Sequence, residues 1–140
     1  MTTVRHVARA AGSTGSAAPP FRVDLHVGAH ELVADEHPAA GGGDVGPTPF
    51  GLLLSGLAAC TAMTLRMYAE RKSWELTAIG VDVRYDVHDD DGAAIERTIT
   101  VPADLPAEQR DRLAEIAERT PVTLAVRAGT PIITTFRSDT

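Results

Sequence analysis

The chain has 140 residues, 44% of them hydrophobic and 23% charged, with a net charge of −6. That size describes one globular domain spanning residues 1–140, able to bury roughly two-thirds of its unfolded surface. The acidic balance speaks against a nucleic-acid partner, which needs a basic patch, and against an anionic membrane surface.

A single cysteine, Cys60, excludes an intrachain disulfide and fits a reducing cytoplasm. With one Trp, two Tyr and three Phe, the core must come mainly from Val, Ile, Leu and Ala. Residues 1–20 carry Arg5 and Arg9 and no acid, but they lack the apolar stretch of a signal peptide. They read as a first strand over residues 3–9, then a loop of small residues and prolines from Ala10 to Pro20.

From Phe21 to Val27 apolar and polar residues alternate, which predicts a strand. Gly28-Ala29 turns the chain into a second arm, His30 to Asp35. The glycine-rich stretch Ala39 to Pro47 reads as a flexible lead-in. Thr48 and Pro49 then mark a helix start, one as N-cap and the other at the first helical position. From Phe50 to Leu65 no residue is charged, and apolar side chains run round the whole cylinder. Such a helix is wrapped by protein. The run is too short for a bilayer span of about 20 apolar residues. Cys60 shares a helical face with Leu53, Leu57, Thr64 and Met67.

Beyond the helix, Ile79, Val81, Val83, Tyr85 and Val87 alternate with polar residues, the clearest strand signal in the chain. The acidic turn Asp89-Asp90-Asp91-Gly92 leads into a second hairpin arm through Ile95, Arg97, Ile99 and Val101. Leu113, Ile116 and Ala117 stripe a helix that starts near Pro106. Thr120-Pro121 repeats the cap signature and opens a short helix stopped near Gly129. Pro131 to Phe136 reads as a final strand. The order predicts an α+β fold. One small antiparallel sheet covers only one side of the central helix, so a homodimer with an extensive apolar interface is expected.

Cys60 is either a small core filler or a nucleophile shielded from bulk water. It lies about three turns into its helix, so the dipole at the helix start does little for its thiolate. His26 and His30 are four apart on a hairpin, a spacing that does not place them on one face. Asp35, Glu36 and His37 read as a solvated loop. If Gly92 is the fixed glycine of a calcium loop, Val87 and Thr98 fall where acids are needed. Gly41-Gly42-Gly43 lacks the lysine of a phosphate loop. Ser55, Thr61 and Thr64 have no histidine placed to activate them. Neither a metal nor another cofactor is expected.

The segment from Gly41 to Leu76, followed by residues 95–122, resembles the OsmC/Ohr family of small α+β proteins. The likeness is most specific at Gly46-Pro47, Pro49, Leu52–Leu54 and Ala59-Cys60-Thr61. It implies antiparallel sheets around a buried central helix, an intertwined homodimer, and Cys60 as the catalytic thiol that reduces organic hydroperoxides. A second family cysteine is replaced here by Thr120, in Thr120-Pro121-Val122. A family glutamate shortly after the proline is replaced by Phe50 and Gly51. The family's active-site arginine has its best counterpart in Arg9, which is not carried over as a site residue. The function so implied is a cytoplasmic oxidative-stress protein: a weak one-cysteine hydroperoxide reductase that depends on an external thiol reductant. The alternative is an inactive binding protein that holds a small apolar ligand at the dimer groove.

Overall fold

The computed structural model describes residues 3–90 and 92–139. The chain forms two compact units, Met1–Leu53 and Leu54–Thr140. In the first, strands β1 (Ala10–Ser13), β2 (Val23–Val27) and β3 (His30–Ala34) make an antiparallel sheet in that order. The first strand therefore lies at Ala10–Ser13, within the stretch expected to be a loop, and not over residues 3–9. The reason is close packing. A Cβ on Gly12 would come within 2.9 Å of a Leu25 methyl, so small residues suit this edge. Gly28, with φ +60°, turns β2 into β3, and Val27 pairs with His30.

The glycine-rich lead-in is built rather than flexible. A Cβ on Gly42 would sit 2.0 Å from the Glu36 carbonyl oxygen, and one on Gly46 would sit 2.2 Å from that of Val33. Only glycine permits such backbone approach. Asp35 organises the loop from within. Only 1% exposed, its carboxylate accepts hydrogen bonds from the N–H groups of Glu36 (2.8 Å), Gly43 (3.0 Å) and Val45 (3.2 Å). Burial alone pushes its pKa up, but the three N–H donors and the Arg22 charge overcome that, so the group ends below its ordinary value.

A depressed folded-state pKa contributes stability that is complete above the unfolded value and disappears as pH falls through the folded value. The Gly43 and Val45 amide resonances should therefore hold their positions through the ordinary carboxylate range and shift only at more acidic pH. An inflection at the ordinary value would contradict the cradle.

Helix α1 (Pro49–Arg71) crosses from the first unit into the second. The Thr48 hydroxyl accepts from the Gly51 N–H at 3.1 Å, as its cap reading requires. At the far end Ser73 takes φ +56°, and the Trp74 N–H reaches back to the Ala69 carbonyl at 2.9 Å. This closes the helix without a glycine.

In the second unit β4 (Gly80–His88) and β5 (Gly92–Thr100) form an antiparallel hairpin. Two helices follow, α2 (Ala107–Ala117) and α3 (Pro121–Ala128). The Thr120 hydroxyl caps α3 by accepting from the Thr123 N–H, and Gly129 at φ +68° ends it. The core gathers Leu65, Ala69, Leu76, Leu105, Leu113 and Ala117, bordered by Tyr68, Trp74, Ile79, Ile99, Val101 and Ile116.

Two further expectations differ on the single chain. Helix α1 buries a single stripe, Leu57, Thr61, Leu65 and Ala69, while Phe50, Leu53, Met63 and Met67 are exposed on the chain. Residues 131–136 form no strand, and Ile132, Ile133 and Phe136 are almost wholly exposed. In both places apolar side chains remain exposed on the single chain.

Candidate functional site

Cys60 sits midway along α1, half-buried, with its Sγ 3.9 Å from the Thr64 hydroxyl one turn on. That shared position with Thr64 agrees with the helical spacing, but the buried stripe runs through its neighbour, Thr61, instead. Thr61 is 0% exposed. Its hydroxyl donates to the Leu57 carbonyl at 2.7 Å, a bond within the helix, and accepts from outside it.

The outside donor is Arg97 of β5. Its side chain is 12% exposed. Nη1 donates to the hydroxyls of Thr61 (3.0 Å) and Thr123 (2.7 Å), and Nη2 donates to the Ala117 carbonyl at 2.9 Å. One guanidinium thus joins the middle of α1, the end of α2 and the start of α3. The carbonyl end of α2 carries negative partial charge, so a cation is favoured there. Arg127 adds a second cation at the same end, donating from Nη1 to the Glu118 carbonyl (3.1 Å) and from Nη2 to the Glu118 carboxylate (2.6 Å). The other oxygen of that carboxylate lies 3.9 Å from Arg97 Nη2.

Thr120, at the position matched to the second family cysteine, is 0% exposed. Its oxygen lies 2.6 Å from the Thr123 hydroxyl. The hydroxyls of Thr120, Thr123 and Thr61 therefore form one relay around Arg97, with no buried side-chain polar atom left unpaired among the described residues. Sequence reasoning placed Arg97 on the hairpin without giving it a role. Its signal was present, since it occupies the inward register between Ile95 and Ile99.

Beside this relay lies an open cleft of about 560 Å³. Leu57, Ile95 and Val126 contribute apolar walls, and Arg97, Arg127 and Glu118 line its polar side. Cys60 is not among its lining residues. In the first unit, Arg9 lines a separate cleft with His6 and His26. His26 pairs across the hairpin with Glu31, and His30 pairs with Val27, so the two histidines face opposite ways. No group of three metal-ligating side chains occurs among the described residues. Of the acidic turn, Asp91 falls outside the described residues.

Residues 41–135, more than half of the chain, match the model of the OsmC-like protein family. The chain belongs to the OsmC-like family. No curated protein sequence matches it. Among solved structures it is similar to the organic hydroperoxide resistance protein OhrB of Bacillus subtilis, at 25% identity and a TM-score of 0.58, covering 87% of this chain and 91% of that one. It is also similar to an OsmC-like protein of Mycoplasma pneumoniae, at 16% identity and a TM-score of 0.69, covering 89% of each chain. A third likeness is to the organic hydroperoxide resistance protein OsmC of Legionella pneumophila, at 18% identity and a TM-score of 0.64, covering 89% of this chain and 92% of that one.

The fold is thus the OsmC-like α+β arrangement, with antiparallel sheets and a long central helix. Helix α1 is long and apolar enough to cross a bilayer on length and composition. Within the OsmC-like fold it is the core helix.

Proposed function

We propose that this OsmC-like protein is a cytoplasmic homodimer that reduces organic hydroperoxides slowly through Cys60 alone. The observation that carries this reading is the placement of the single thiol, half-buried midway along the central helix of the family fold. The Cys60 thiolate attacks the terminal peroxide oxygen, the O–O bond breaks, and the alkoxide leaves and is protonated to the alcohol. The sulfur, oxidised by two electrons, is left as a sulfenic acid. One external thiol condenses with it, releasing water and forming a mixed disulfide. A second thiol attacks that disulfide and restores Cys60; the two thiols, which have supplied the two electrons, leave as a small-molecule disulfide.

Thr120 leaves no resolving thiol in the chain, and Gly51 supplies no carboxylate. A Cβ on Gly51 would come within 3.2 Å of Thr48 Oγ1, so a side chain there requires the capping hydroxyl to give by a few tenths of an ångström. A slow rate and dependence on added thiol follow. With cumene hydroperoxide and a dithiol reductant, the protein should turn over and Cys60→Ser should fall to background. Equal rates in both would leave Cys60 without a redox role. The exposed apolar side chains of α1 and of residues 131–136 support the dimer, because a second copy offers the surface each lacks.

A further inference from the structure

From the cleft in the second unit we infer a binding site for an amphipathic monocarboxylate, with Glu118 occupying the anion position when no ligand is bound. Leu57, Ile95 and Val126 give the cleft an apolar side, and its volume of about 560 Å³ falls in the range of small-molecule sites. Its polar side carries two guanidinium groups and one carboxylate, an excess of one positive charge.

Arg97 is fixed. Its bonds to Thr61, Thr123 and the Ala117 carbonyl hold the charge in place before any ligand arrives. Arg127 and Glu118 are different. Their side chains are 57% and 60% exposed, and the carboxylate lies between the two cations, bonded to Arg127 and 3.9 Å from Arg97. An exposed ion pair of this kind is worth little and rearranges readily. A carboxylate whose alkyl chain lies along the apolar side can take the place of Glu118 at the guanidinium fork of Arg127, a geometry suited to two parallel hydrogen bonds. The ligand class is set by both sides together: an alcohol of equal length lacks the charge, and a small inorganic anion lacks the chain. Cys60 is not among the lining residues, so binding is read apart from thiol turnover.

The test uses the full-length reduced protein without peroxide, titrated calorimetrically with decanoate below its micellar concentration and with decanol. Decanoate should bind and decanol should bind at least ten-fold more weakly. Glu118→Gln should tighten decanoate about five-fold, and Arg127→Gln should weaken it about five-fold, with decanol unchanged in both. Both positions are exposed, and thermal melts check that the variants remain folded. Equal affinity for acid and alcohol, no decanoate binding, or no gain in Glu118→Gln would each overturn the assignment. Loss of peroxide turnover in Cys60→Ser would be unaffected by any of these results.

Discussion

Arg97→Met should destabilise the protein by about 3 kcal/mol, a fall in melting temperature of about 10 °C for a chain of this size. Methionine retains most of the aliphatic length but none of the donors. Three hydrogen bonds from a charged group are lost, to Thr61, Thr123 and the Ala117 carbonyl. Each is worth roughly 1.5–3 kcal/mol, though not additively, and relief from burying a guanidinium offsets part of the loss. The hydroxyls keep some partners, Thr61 with Leu57 and Thr123 with Thr120, which holds the estimate to the value of about one or two such bonds. Arg84→Met is the matched control on the same hairpin. Arg84 is 65% exposed and, among the described residues, pairs with Asp86 and Glu96, so its loss should barely move the melt. If the two variants melt alike, the relay does not hold the three helices together.

Light scattering should give twice the 14.8 kDa chain mass, and a double substitution Ile133→Asp, Phe136→Asp should return the monomer. Residues 131–139 have no strand partner among the described residues, and Ile132, Ile133 and Phe136 are 90%, 95% and 95% exposed. Each such side chain contributes about 2 kcal/mol when buried, and a twofold pair buries six of them. An aspartate in the same place leaves a charge in an apolar contact, which abolishes the gain. A 14.8 kDa species for the unmodified protein would remove the dimer from the proposed function.

Much of the fold was legible because its signals are local. Alternation from Ile79 to Val101 announced the β4–β5 hairpin, and Thr48-Pro49 and Thr120-Pro121 announced two helix starts, each with its cap bond present. What escaped depends on contacts distant in sequence. Strand β1 lies in Ala10–Ser13, where small residues read as loop until Leu25 and Val23 are seen packed against Gly12. The loop around Asp35 read as solvated because nothing in Asp35-Glu36-His37 reveals three amides converging on one carboxylate. The face of α1 that the chain covers could not be chosen from a helix apolar all round; Thr61 and Leu65 were selected by what packs on them. For the candidate site, Cys60 was visible as the lone thiol. Arg97 was visible only as a charge in an inward register, and its partners lie 20 to 36 residues away.

Trapping of a sulfenic acid on Cys60 tests the central claim most directly. The reduced protein, given one equivalent of cumene hydroperoxide in the presence of dimedone, should carry a single adduct on the Cys60 peptide, and Cys60→Ser should carry none. A full thiol titre and no adduct after the peroxide has been in contact with the folded protein would contradict it.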